Sequence, residues 1–249
     1  MVDQVLREGL LERRVSVAST FVSMLIALAF SEMVLPVKAS IAKDGFTLGT
    51  SLLVVVFFLT TLRNWIGNEL YLRRPDVVSS VGKIWLFDFI VIVVESIILV
   101  FLATTCSETA AREARVGFVE ILLILYAVDV LWVLSMWARQ VLLGWLQPSI
   151  QTNKIPWWWA GQNFLLIVLI GPLGWLAGDF YSPEMLMWLT FTHFGAFIHS
   201  VILYDFCKLL HEGSGAVGSV RARRIEVERE ALPLSVIAGP PEPLPEQQR

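Results

Sequence analysis

Charge is what this chain lacks most. Only 16% of its 249 residues are Asp, Glu, Lys or Arg, 56% are hydrophobic, and the mean hydropathy is +0.67. A water-soluble domain of that length needs far more charge to cover its surface, which excludes a soluble globular fold. Cysteine is almost absent. Cys106 and Cys207 form no CxxC pair, so neither a disulfide framework nor a thiol-redox motif is expected. The net charge of −3 offers no dominant basic surface, and nucleic acid is not an expected partner. The common enzyme signatures are missing too: there is no GxSxG, no HExxH, no P-loop and no GxGxxG ahead of a strand. The expectation is a protein without cofactor or bound metal, and not an enzyme.

What is present is long apolar runs. Six of them, at about 16–37, 46–65, 83–104, 116–137, 157–177 and 185–206, approach or exceed the roughly 20 residues that cross a bilayer as a helix. The fold expected is therefore an all-α bundle of six transmembrane helices over 1–210. A cytoplasmic tail follows at 211–249, partly helical and then disordered where Pro240, Pro241, Pro243 and Pro245 crowd together. Fifteen of the nineteen Lys and Arg residues fall on the side of the N-terminus, the second and fourth loops and the tail; four fall on the other. By the positive-inside rule both termini are cytoplasmic. Ten tryptophans suit an interfacial belt, and the lipid bilayer is the first partner expected, with a bacterial inner membrane as the location.

The informative residues are the polar ones inside the spans. The third span, KIWLFDFIVIVVESIILVFLAT, carries Asp88 and Glu95 seven residues apart, hence on one helical face. At 1.5 Å per residue Glu95 lies roughly 18 Å into its span, and Asp129 of the fourth span comes to roughly the same depth from the opposite direction. His193 and His199 fall in the middle of the sixth span, while no Lys or Arg is expected in the central part of any span. Acids within lipid are expensive and mark ion or proton pathways. One reading is a path for protons or inorganic cations, with Glu95 and Asp129 as acidic sites, His193 and His199 as relays, and Asp88 nearer the cytoplasm. The competing reading is that Glu95, Asp129, Thr192 and His193 simply bond to one another and hold the bundle together. The two histidines are six apart and point in different directions, which does not suit one shared metal ion. Asp88 is expected to pair with Arg63 or Lys83.

Several boundary features complete the pattern. Residues 1–15 read as a charged amphipathic lead, and Glu32 and Pro36 mark the exit of the first span. The stretch RNWIGNELYLRRPD, from Arg63 to Asp76, reads as a helix end meeting lipid headgroups. Pro156-Trp157-Trp158-Trp159 forms an aromatic anchor, Pro172 predicts a kink, and Gly174 with Gly178 suggests a close helix approach. Gln162 and Asn163 either line a vestibule or bond across helices. The leading function is conduction or coupling of protons or cations, by a homo-oligomer or with a membrane-complex partner. An alternative is a non-catalytic membrane subunit that docks a protein partner through its tryptophan faces and basic tail; a lipid-binding or lipid-modifying protein comes third. Six spans with short loops resemble the bacterial channels related to the lysosomal potassium channel. That family's Phe-Ser-Asp signature has its nearest counterpart here in Phe30-Ser31-Glu32, late in the span and with a changed acid, so no residue role is carried over.

Overall fold

The computed structural model describes residues 2–72, 83–143 and 155–204, all within one unit, Met1–Tyr204. The tail expected at 211–249 lies outside the described residues. Among the described residues there are seven helices and no strand: α1 (Val2–Asp44), α2 (Leu48–Leu72), α3 (Lys83–Thr104), the short α4 (Glu108–Glu113), α5 (Phe118–Leu143), α6 (Ile155–Ala177) and α7 (Pro183–Tyr204). Six of these are long and apolar enough to cross a membrane, α4 being the exception. The chain is an all-helical, multispan membrane protein. The physical reason for the helices is that lipid offers no hydrogen-bond partner, so each spanning segment must satisfy its own backbone.

Burial is inverted relative to a soluble protein. Phe58, Leu131, Phe164 and Trp175 face outward, whereas Arg63, Glu95, Asp129 and Asn163 are buried between helices. Helix α1 packs on α3 and α2, α2 on α7, and α5 on both α3 and α6. Short turns at 45–47, 105–107, 114–117 and 178–182 gather at one end of the bundle, called here the short-turn end. The start of α1 and the last turns of α2 and α5 define the opposite, Arg139 end.

Local signals explain where helices stop. Gly45 and Gly178 take φ +76° and +71°, and their N–H groups close back on Ile41 and Gly174 at 3.1 Å, ending α1 and α6 in the left-handed cap that glycine adopts without strain. Gly178 is thus a cap and not part of a helix-packing pair, while Gly174 makes room for the Phe180 ring. Ser107 caps α4 by accepting from the Ala110 N–H at 3.2 Å.

Two sequence expectations need correction. Helix α1 runs through Pro36 to Asp44, because one lost backbone bond does not end a long membrane helix. More consequentially, α2 continues to Leu72, so Arg63, Asn64 and Asn68 belong to its buried face and not to a headgroup boundary. A guanidinium therefore does lie within a span. Removing Arg63 from the loop count leaves the basic asymmetry at fourteen to four.

The short-turn end is tied by Arg112, which donates to both carboxylate oxygens of Asp179 at 3.1–3.2 Å and to the Tyr181 carbonyl at 2.8 Å. The Tyr181 backbone N–H and then Arg112 hold the Asp179 carboxyl below the usual carboxylate range. A depressed folded-state value stabilises above the unfolded value of about 3.9 and is lost as pH falls through the folded one. The pair is half exposed, and screening limits its worth to under about 1 kcal/mol. Melting should shift slightly downward as pH falls below about 4, where the depressed Asp179 carboxyl takes up its proton. Asp179→Asn should remove that component of the shift; an unchanged profile in the variant would assign it to other carboxylates.

Candidate functional site: a buried ionic cluster

The site begins with the sequence of α2. Thr60, Arg63, Asn64, Asn68 and Tyr71 recur at spacings of three and four, forming one polar face of a helix that is otherwise apolar. Val55 and Phe58 face outward, Leu53, Val56 and Phe57 pack into the core, and the polar face turns inward toward α3, α5, α6 and α7. This periodicity is the signal that would have located Arg63. A hydropathy window instead treats an arginine as the end of a span.

Arg63 is the hub. Its Nη2 donates to Asn163 Oδ1 at 2.6 Å and to Gln162 Oε1 at 3.2 Å, and its Nε donates to Ser200 Oγ at 3.2 Å. The guanidinium lies 4.1 Å from the centre of the Trp159 ring, so that tryptophan turns inward while Trp157 and Trp158 remain exposed. Gln162 is held in turn, donating to the Ala196 carbonyl at 2.6 Å and accepting from Ser200 at 3.0 Å. The expectation that Gln162 and Asn163 bond across helices describes their actual contacts.

Asn163 links Arg63 to the acids. Its carbonyl oxygen faces the arginine, and its Nδ2 donates to Asp129 Oδ2 at 2.6 Å. That orientation gives each neighbour the group it needs, since a guanidinium only donates and a carboxylate accepts. Asn68 donates to Glu95 Oε2 at 3.1 Å, and the neighbouring Glu95 Oε1 and Asp129 Oδ1 are both buried without a donor among the described residues, so that one proton shared between them would serve both. A hydrogen bond between two carboxyl groups requires a proton on one of them. With that proton the pair carries one negative charge, which Arg63 balances, and the cluster as a whole is neutral. Arg63 Nη1 and Asn64 Oδ1 are buried with no partner among the described residues. A donor and an acceptor therefore remain available beside the acids.

The expected histidines separate. His193 is buried, with Nδ1 at 2.6 Å from the Leu189 carbonyl and Nε2 at 2.5 Å from the Tyr126 hydroxyl. A carbonyl only accepts, so Nδ1 is a protonated nitrogen. His193 meets Tyr126 and not the two acids. Thr192 bonds back to the Leu189 carbonyl at 2.8 Å and does not join them either. His199 is on the exposed face of α7, as a spacing of six residues implies, and the structure does not bring it to the cluster.

Asp88 forms a second, smaller cluster nearer the Arg139 end. It accepts from Tyr71 at 2.8 Å, from the Trp132 indole at 3.1 Å and from Arg139 at 3.3 Å. Arg139, whose guanidinium also stacks 4.0 Å from the Phe87 ring centre, is the partner in place of Arg63. Arg63 is engaged one level deeper, with Asn163, Gln162 and Ser200. Sequence reasoning missed Arg139, Trp132, Tyr126 and Trp159 because their partners lie on other helices, at separations that no local pattern encodes.

No protein-family model, curated protein or solved structure matches this chain.

Proposed function

We propose that the chain exchanges protons through the Glu95–Asp129 pair, acting as a proton-conducting or proton-coupled membrane protein. The observation that carries this reading is a pair of neighbouring carboxyls, buried in the bundle, each with one oxygen that no donor among the described residues meets, and linked to Arg63 through Asn163. Such a pair is balanced when it holds one proton. Gain or loss of a proton leaves a net charge in a low-dielectric site, so each exchange event is coupled to local electrostatics.

Arg63 also narrows the choice of ion. A metal cation entering the cluster would meet a guanidinium it cannot displace, whereas a proton passes by exchanging hydrogen bonds. Asn68 and Asn163 orient the two acids, and the buried but unpartnered Arg63 Nη1 and Asn64 Oδ1 offer contacts for a transient carrier. Tyr126 and His193 support Arg63 from the α5 and α7 side, the Tyr126 ring centre lying 5.9 Å from the guanidinium. The basic asymmetry favours an orientation with the Arg139 end toward the cytoplasm.

The test is flux through purified protein in liposomes, with a pH-sensitive dye inside and a potassium diffusion potential as driving force. Glu95→Gln and Asp129→Asn should each lower proton flux by about 100-fold, the scale of removing a positioned acid-base group. Equal flux in wild type and both variants, all correctly folded, would sink the proposal.

A further inference from the structure

The polar side chains inside the bundle are not evenly distributed along it. From the Glu95–Asp129 pair toward the short-turn end, the buried and mutually bonded Tyr126 and His193 come first, and around and beyond them the packing becomes apolar on every helix that meets the cluster. Phe57 on α2, Leu99 on α3, Leu122 on α5, Ile170 on α6 and Leu186 on α7 are all at most 1% exposed. On α2 no buried polar side chain occurs between Thr50 and Thr60, and on α3 none occurs between Ser96 and Thr105. On α5 and α7 the gap is shorter, because Tyr126 and His193 lie within it, and from that pair to Phe118 and Leu186 the apolar layer is roughly 10–12 Å thick. Beyond the Tyr126–His193 pair, a dry layer of that depth offers a proton neither water nor a side chain to occupy.

In the opposite direction polar contacts continue. Asn68 reaches Glu95, and Tyr71, one turn further along α2, reaches Asp88. Asp88 shares the helical face of Glu95 and lies about 10 Å nearer the Arg139 end. There Arg139 closes over it. The Asp88 side chain is 3% exposed and that of Arg139 12%, so the guanidinium is where this series of polar contacts comes closest to the surface. Arg139 Nη1 is itself buried without a partner, an unused donor beside the acid.

We infer that the central carboxyl pair is reached from the Arg139 end alone, with the Asp88–Arg139 ion pair as the latch and the apolar layer sealing the other side. This deepens the proton-exchange reading by giving the site one sidedness in this conformation. Conduction straight through the bundle is then closed, and release to the short-turn end requires the layer around Phe57 and Leu99 to part.

Cysteine accessibility tests this without measuring flux. Cys106 is a silent background: it is buried, and burial pushes its thiol up to about 12. With Cys207 replaced by Ser, the full chain would carry Asn68→Cys or Leu99→Cys in liposomes. A membrane-impermeant, positively charged methanethiosulfonate would be added to one side at a time, with protease access to an N-terminal tag reporting which side holds the Arg139 end. The Asn68→Cys thiol should react only from the Arg139 side, and about ten-fold faster when Arg139→Gln removes a latch whose opening is disfavoured by one decade. The Leu99→Cys thiol should react from neither side. Tyr71→Cys provides the same reading should Asn68→Cys fold poorly. The inference is overturned by reaction of the Leu99→Cys thiol at a comparable rate, by reaction at position 68 or 71 from the short-turn side, or by no acceleration in Arg139→Gln. Absent flux with one-sided access would retire the proton role and keep the latch; two-sided access with normal flux would do the reverse.

Discussion

Arg63→Met should destabilise the folded bundle by about 3–5 kcal/mol, the range found when one partner of a buried ionic cluster is removed. Three hydrogen bonds to Asn163, Gln162 and Ser200 are lost together, and the shared carboxyl pair keeps a negative charge with nothing opposite it. Most of the effect comes from that uncompensated charge. The double variant Arg63→Met, Asp129→Asn should therefore recover a large part of the loss, because both charges leave at once. Arg63→Lys should fall between the two, since an ammonium lacks the planar fork that reaches Asn163, Gln162 and Ser200 at once and stacks less well on Trp159. Reversible unfolding in mixed detergent micelles measures all four proteins. A single Arg63→Met variant as stable as wild type would show that the acids take up protons or water freely, against the closed cluster described above.

The second large effect is expected in the apolar layer. Phe57 is completely buried and meets the Phe30 ring edge-on, with centroids 5.6 Å apart and planes at 82°. Phe57→Ala removes a ring from a close-packed site, and large-to-small changes of this kind cost about 3–5 kcal/mol. In lipid the loss is mainly one of dispersion contacts between helices, because the surrounding solvent is as apolar as the side chain. The functional consequence differs from that of Arg63. Thinning the layer admits water between the cluster and the short-turn end, so passive proton leak should rise even as stability falls. Phe57→Leu keeps most of the volume and should change both only slightly. Phe57→Ala protein that stays tight while losing stability would separate the layer's packing role from its sealing role.

How much of this was legible beforehand can be argued from single residues. Glu95 and Asp129 were recognisable as equal-depth neighbours, because depth follows directly from residue count along a helix of known rise. His199 was separable from His193 by the same geometry, since a spacing of six turns the side chain away. Arg63 was misplaced because its charge suggested a boundary, although the spacing of Thr60, Asn64, Asn68 and Tyr71 around it described an inward face. The partner of Asp88 was out of reach altogether. Arg139 lies 51 residues away, and its choice over Arg63 depends on which helices become neighbours.

The chain alone determined that six segments enter the membrane as helices, since apolar length and backbone satisfaction in lipid leave no other outcome. It also determined that acids lie at mid-depth. Only the tertiary structure decided which charges meet. In a bilayer the lipid-facing surfaces of all helices look alike, so neighbours are selected by fit and by the few polar groups that must find one another. Those contacts place Arg63 among Glu95, Asp129 and Asn163, give Asp88 to Arg139, and leave an apolar layer on one side of the cluster alone.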